Sequence, residues 1–183
     1  MVTDNRHTIT ALVEDKPGVL NRMASLFRRR GFNIESIAVG SCELPNFSRM
    51  TLVVNGSNEI VEQVRKQLEK LIDVVRVSNI TEEPMVAREL ALIKVKADSI
   101  SRSEIIEIVD IFRANIIDVA SDSLTIEVTG DEDKIDSLLN LLRGFGIKEV
   151  ARTGRIAMPR GVSGPLTVER KASQASRKES PVK

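Results

Sequence analysis

The chain opens on an alternation. Ile9, Ala11 and Val13 are apolar and the intervening Thr8 and Thr10 polar, with Leu12 the one apolar residue on the second face. Strand side chains point to opposite faces in turn, so residues 7–13 predict a strand with one apolar face. Asp15-Lys16-Pro17-Gly18 breaks the run. Pro17 suits the first position of a helix, where its φ is already helical and its missing N–H would have no partner. Leu20, Met23, Ala24 and Phe27 follow at helical spacing, and Arg28, Arg29 and Arg30 put cations at that helix's negative end. Gly31 then supplies a left-handed C-terminal cap.

Residues 33–40 and 48–54 predict two strands around a loop with Pro45 and Asn46, and Asn55-Gly56-Ser57-Asn58 is the next turn. Residues 59–72 predict a helix burying Ile60, Val61, Val64, Leu68, Leu71 and Ile72, with Glu62 and Lys66 a favourable pair. A strand over 74–80 completes the order β-α-β-β-α-β. After Glu82-Glu83-Pro84 the order begins again with a strand over 90–96. Ser101 and Glu104 predict a capping box for a helix striped with Ile105, Ile108, Val109 and Phe112. Strands over 116–120 and 124–128 flank a turn at 121–123. Asp131-Glu132-Asp133 open a helix that buries Ile135, Leu138, Leu139 and Leu142, and residues 147–156 are the last strand.

Phe27 and Phe112 hold matching places in the first helix of each half, 85 residues apart, so the chain reads as a duplication. The predicted class is α+β: two ferredoxin-like βαββαβ domains in tandem, each one antiparallel sheet with two helices on one face. The domains are 1–81 and 82–158, followed by a tail, 159–183, where periodicity stops. That tail holds six basic and two acidic residues, a net +4, which leaves −3 for the rest of a 183-residue chain of net charge +1. It is expected to be disordered; a basic tail can touch an acidic partner, but a solvated terminus is the plainer reading.

Composition narrows the chemistry. The chain has no Trp, no Tyr, one Cys (Cys42) and one His (His7). One Cys cannot form an internal disulfide, and one of each falls short of a four-ligand zinc site, so no metal is expected. The longest stretch free of Asp, Glu, Lys and Arg is nine residues, 50–58, well below the ~20 of a membrane span. With no apolar signal core at the amino terminus, the expected location is cytoplasmic and away from membranes. His7, at a strand start, reads as a satisfied or exposed structural residue, and Cys42 as a small buried apolar one; neither has a triad partner, so no catalytic residue is assigned. The acidic clusters read as solvated or as helix-dipole partners. RNA-binding versions of this fold stack bases on central-strand aromatics, and here only Phe32 and Phe47 lie even at strand edges, so no nucleic acid is expected. Metal carriers of this fold need a C-x-x-C pair that one Cys cannot form.

One loop stands out. Asp15, Pro17, Gly18, Val19 and Leu20 join the first strand to a helix start, where free N–H groups favour a small carboxylate. Gly18 lets a ligand approach the backbone, and the Asn33 amide can accept from an ammonium group or donate to a carboxylate. These groups suit a zwitterionic amino acid with an aliphatic side chain. The matching loop of the second half, Ala97-Asp98-Ser99-Ile100-Ser101, has no Pro-Gly and caps its own helix with Ser101, which closes the site there.

Glu14-Asp15-Lys16-Pro17-Gly18-Val19-Leu20-Asn21-Arg22-Met23 resembles the ligand loop of ACT domains, the amino-acid-sensing modules of metabolic enzymes. Arg30-Gly31-Phe32-Asn33-Ile34-Glu35-Ser36-Ile37, Ser48-Arg49-Met50-Thr51 and residues 67–74 narrow the likeness to the regulatory small subunits of acetolactate synthase, also called acetohydroxyacid synthase. Residues 88–95 and 112–119 carry it into the second half; it spans about residues 5–160. The resemblance implies a non-catalytic regulatory subunit in branched-chain amino acid biosynthesis. Such a subunit activates a large catalytic subunit that holds thiamine diphosphate, FAD and magnesium; no cofactor is expected on this chain. The resemblance further implies feedback inhibition by a branched-chain amino acid, usually valine. It implies, too, that first domains pair as a homodimer, with the effector between the Gly18 loop of one chain and Asn33 and Ile34 of the other. Gly40, where some relatives carry Ala, loosens that pocket. The second domain is similar to the part that helps hold the large subunit. The competing reading is a free-standing amino-acid-sensing regulator of transcription or another enzyme, favoured only by the basic tail.

Overall fold

The computed structural model describes residues 5–161. Strands β1 (Arg6–Glu14), β2 (Ile34–Ser41), β3 (Phe47–Asn55) and β4 (Val74–Asn79) form an antiparallel sheet in the order β2-β3-β1-β4. Helices α1 (Val19–Arg30) and α2 (Asn58–Leu68) bury Met23, Phe27, Val64 and Leu68 against Ile9, Ala11, Met50 and Leu52 on one face. The second half repeats the plan. β5 (Met85–Lys96), β6 (Asn115–Val119), β7 (Ser123–Gly130) and β8 (Ile147–Arg152) lie in the order β6-β7-β5-β8. Helices α3 (Ser101–Ile111) and α4 (Glu132–Leu142) close a second core around Ile93, Ile105, Ile126 and Leu138. The tandem ferredoxin-like α+β fold read from the alternation is the observed one. The expected disorder of the tail lies outside the described residues from 162 onward.

Several local expectations change. Pro17 does not open α1: Gly18 precedes the helix with φ 88°, and Val19 is its first residue. α2 stops at Leu68 rather than 72, because Lys70 and Leu71 donate to carbonyls three residues back and tighten the chain into a turn. That turn leaves Ile72 91% exposed, off the buried face, and delivers Asp73 and Val74 to the sheet. Arg65 takes Glu62 at 2.6 Å, and Lys66 reaches it only at 3.5 Å. The capping box of α3 begins at Asp98: its carboxylate accepts from the Ser101 amide at 2.8 Å, and the Asp98 amide donates to Ser101 Oγ at 3.1 Å. A Ser101 cap gives way because the path of the loop places the Asp98 carboxylate on the amides of Ile100 and Ser101. Gly31 does form a left-handed cap, with φ 67°.

The last predicted strand is two. β8 ends at Arg152, and after Gly154 (φ 78°) a ninth strand, β9 (Ile156–Pro159), pairs with Met85–Arg88, so that β5 also starts earlier than residue 90. The ribbon of β9 and the first four residues of β5, Met85–Arg88, lies across the helix-free face of the first sheet. The Ala157 amide donates to Thr51 Oγ1 at 3.3 Å, and Arg155 Nη1 reaches Thr8 Oγ1 at 3.0 Å. This cover explains why Thr8, Thr10 and Thr51 are buried although alternation put them on a polar face. Glu132, read as a dipole partner, also accepts from Arg6 and, at 2.6 Å, from Arg155 Nη2, tying the halves together. His7 is half-buried, and its Nδ1 is buried without a hydrogen-bond partner among the described residues. Cys42 is half-buried rather than buried, its thiol 3.5 Å from the Phe47 carbonyl.

Candidate functional site

Four residues, Asp15 to Gly18, connect β1 to α1. Both flanks are held by the neighbouring loops: Glu14 N–H donates to Asp73 O and Asp15 N–H to Asn46 O, each at 2.8 Å. Lys16 pairs with Glu14 at 2.7 Å, and that carboxylate raises the Lys16 pKa above its ordinary value through a hydrogen bond and its charge. Gly18 is required by its backbone alone, since φ 88° is a region that L side chains rarely adopt. Among the described residues, no side chain caps α1 and no acid lies in its first turn, whereas Glu59, Glu104 and the Glu132–Asp133 pair open the other three helices. The positive helix end is left open to an anion.

Arg22 adds to that field. Its Nε donates to Asp73 Oδ2 at 2.6 Å, and a Cβ placed on Gly18 would stand 3.5 Å from its Nη1. The sequence reading missed this residue. Its only local signal is a cation near the start of a helix, where cations are disfavoured; the Asp73 that orients it lies 51 residues away.

Asp15, Pro17, Gly18 and Leu20 are exposed, while Val19 is buried in the first core. Asn33 is exposed, Ile34 is half-buried against that core, and a Cβ on Gly40 would meet nothing within 4 Å. β1 and β2 run in one direction, each antiparallel to β3. The registers Ile34–Val54–His7 and Ser41–Ser48–Val13 therefore mark opposite ends of the sheet. The Gly18 loop and Gly40 share one end. Asn33 and Ile34 stand at the other, a strand length of about 23 Å away.

The second half has no such opening. Asp98 accepts from the Ser101 amide, the Ser101 hydroxyl and the Ile100 amide, which hold its carboxyl below the usual carboxylate range. Arg102 reaches across the loop to Ala120 O at 2.8 Å and Ser121 O at 3.1 Å.

A groove of about 680 Å³ runs along the free edge of β2, between Ala38 and Gly40 on one side and Val86, Ile156 and Met158 on the other. A smaller cavity of about 410 Å³ lies between the halves, where Glu89, Glu132, Arg152 and Arg155 are already paired with one another. Among the described residues, no group of three or more His, Cys, Asp or Glu side chains is placed to hold a metal ion, and no helix is long and apolar enough to cross a membrane.

A βαββαβ unit with an open, uncapped glycine loop, followed by a copy whose loop is sealed, places the chain among tandem ferredoxin-like proteins whose first half is an ACT domain. Residues 9–76 match the model for the small subunit-like ACT domain of acetohydroxyacid synthase, and residues 88–161 that for the small subunit of acetolactate synthase. The chain belongs to the acetolactate synthase small subunit family. It is 60% identical over 156 residues to a probable acetolactate synthase small subunit of Archaeoglobus fulgidus, covering 85% of this chain and 98% of the relative. The acetolactate synthase small subunit of Mycobacterium bovis is 54% identical over 158 residues, 86% of this chain and 94% of its own. The crystal structure of the small subunit from Thermotoga maritima superposes with a TM-score of 0.79 at 45% identity, covering 85% of this chain and 98% of that one.

Proposed function

We propose that this chain is the non-catalytic regulatory subunit of a cytoplasmic acetolactate synthase. It raises the activity of a large catalytic subunit, which carries the thiamine diphosphate, FAD and magnesium, and makes that subunit sensitive to a branched-chain amino acid, with valine the first candidate. The effector carboxylate lies at the open start of α1, on the backbone of Gly18 and near Arg22. Asp15, Pro17, Val19 and Leu20 shape that loop, and the ammonium group is read by Asn33.

The separation of Gly18 from Asn33 by the length of the sheet carries this reading. One chain cannot bring the two together. Two-fold antiparallel pairing of β2 with its copy sets the start of each strand against the end of the other, so Asn33 and Ile34 of one protomer reach the Gly18 and Gly40 end of its partner. A ligand that needs both chains reports on how they are arranged, and a coupling of ~1–3 kcal/mol gives ~5–150-fold control. The second domain and its ribbon carry that arrangement toward the catalytic subunit.

The test is acetolactate formation by the reconstituted holoenzyme, titrated with valine, leucine and isoleucine. Gly18→Asp is expected to keep stimulation of the catalytic subunit and lose inhibition, because its carboxylate occupies the anion site. Gly18→Asn controls for the φ 88° backbone without adding charge and is expected to retain part of the inhibition. Full valine inhibition of Gly18→Asp would sink the site assignment. No stimulation of a catalytic subunit by the unaltered chain would sink the regulatory role.

A further inference from the structure

β2 does not pair evenly with β3. Ile34 is the register partner of Val54 and Ser36 that of Val53, so Glu35 is an extra residue in a β-bulge. Its carboxylate accepts from the Asn55 side-chain amide at 2.8 Å. The bulge divides Asn33 and Ile34 from the regular part of β2, and Ser36 is the first residue beyond it. The cavity of about 410 Å³ between the halves lies directly against Glu35 and Ser36. A close-packed joint would hold the strand start in one place, whereas a bulge beside open space leaves it room for a second arrangement.

The second domain grips β2 at this point. Ser36 Oγ accepts from the Arg155 N–H at 3.0 Å, and the Arg155 guanidinium donates to Thr8 Oγ1 at 3.0 Å and to Glu132 Oε2 at 2.6 Å. Arg155 is thus bonded to β2, β1 and the start of α4 at once. The residues just before it are tied to β5. Arg152 holds Glu89 with two bonds, and Thr153 exchanges bonds with Leu90, its N–H to the carbonyl at 3.0 Å and its Oγ1 from the Leu90 amide at 3.1 Å. β5 is a single strand of 12 residues: Met85–Arg88 pair with β9 over the first sheet, and Glu89–Lys96 pair with β7 inside the second. A displacement of Ser36 therefore meets a bonded path into the second core rather than a loose linker.

We propose that Ser36 and Arg155 are positioning residues for effector control: an effector held at Asn33 shifts the bulge, and the Ser36–Arg155 contact passes that shift to β5 and the second domain. The proposal rests on the effector reading above and deepens it. Ser36 and Arg155 act through Asn33 and β5 without being part of the effector site, so their loss separates binding from inhibition.

Valine is the probe. Its binding to the full chain is read by calorimetry, and stimulation and inhibition are read in the holoenzyme reconstituted with the catalytic subunit. Ser36→Ala removes the acceptor, and Arg155→Ala removes the bonds to Thr8 and Glu132; circular dichroism verifies each fold. Both variants are expected to bind valine within about 3-fold of the unaltered chain and to keep stimulation, while the extent of inhibition at saturating valine falls about 5-fold or more. Arg155→Lys keeps a cation for Glu132 and is expected to recover part of the inhibition; it carries the test with Ser36→Ala if Arg155→Ala unfolds. Amide exchange of the chain alone gives a second readout. Valine is expected to change exchange at residues 153–157 by about 5-fold or more in the unaltered chain and to leave it unchanged in Ser36→Ala.

Valine binding lost in step with inhibition would make Ser36 and Arg155 part of the effector site's own framework and overturn the proposal. Full inhibition in both alanine variants would overturn it as well. An unaltered chain that binds none of valine, leucine and isoleucine would sink the effector reading itself, and this proposal with it, before any variant is compared.

Discussion

The backbone amide of Arg155 donates to the side-chain oxygen of Ser36 at 3.0 Å, across 119 residues of sequence. This bond joins the break between β8 and β9 to the early part of β2, three residues beyond Asn33. Gly154 makes it possible, since a Cβ there would fall 2.6 Å from Ser36 Oγ. The second domain thus rests on the strand that holds one half of the proposed effector site.

Gly154→Ala is therefore expected to destabilise the protein by about 1–3 kcal/mol, through backbone strain at φ 78° and the clash with Ser36. In Ser36→Ala the clashing oxygen is gone. A double-mutant cycle in urea is expected to give a favourable coupling between the two changes, and strict additivity would show that strain alone explains the glycine.

Arg152 grips the buried Glu89 with two bonds, at 2.6 and 2.8 Å, and reaches Asp136 at 2.8 Å. Removing the guanidinium leaves a carboxylate that is 8% exposed without its partner. Arg152→Ala is expected to cost about 3 kcal/mol in chemical denaturation. Arg152→Ala with Glu89→Gln is expected to recover part of that loss, because no buried charge then remains unpaired.

Asp98 sets a pH dependence whose direction is fixed. Its folded pKa lies below the ordinary 3.8, held there by the hydrogen bonds of Ser101 and Ile100. The carboxylate therefore stabilises the fold above the unfolded value, and that contribution is lost as pH falls through the folded value. Asp98→Ala is expected to lower the melting temperature at pH 7, with the gap to unaltered protein closing below pH 3.8. A gap that stays constant into acid would mean that the cap does not act through its charge.

Glu132 accepts from Arg6 of the first domain and from Arg155 of the β8–β9 break, and Arg155 also reaches Thr8. Glu132→Ala is expected to loosen the contact between the halves while leaving each core intact. Amide exchange would read this as faster exchange at residues 154–157 and unchanged protection at Ile93 and Leu52. Slowed or unchanged exchange at 154–157 would remove Glu132 from the contact.

Much of this protein is local in origin. Alternation in β1, the apolar stripe of α1 and the left-handed Gly31 cap depend on neighbours within a few residues, so the tandem fold was legible in the order of residues. The Gly18 loop was legible for the same reason, as a glycine between a strand and an uncapped helix. Where local signals compete, they were misread: Ile72 continues a helical stripe, yet the chain must turn to deliver Asp73 and Val74 to β4, and side-chain burial yields to that closure. Ser101 and Asp98 both carry capping oxygens, and only the path of the loop selects the carboxylate.

Contacts across long separations had no trace in the pattern. Thr8, Thr10 and Thr51 are buried because a ribbon from the far end of the chain lies on them, and alternation within one strand records only that strand's two faces. Arg22 is oriented by Asp73, and Glu132 binds two arginines from distant segments; charge and spacing alone name none of these partners. The division follows from range. Backbone propensity and periodicity act over a few residues and are written in order along the chain, whereas burial of a polar face or pairing of a charge depends on which distant element arrives to cover it. The sequence alone set two βαββαβ units and an open glycine loop. Only the tertiary structure decided that Gly18 and Asn33 lie at opposite ends of one sheet, and that the second domain reaches back to touch the strand between them.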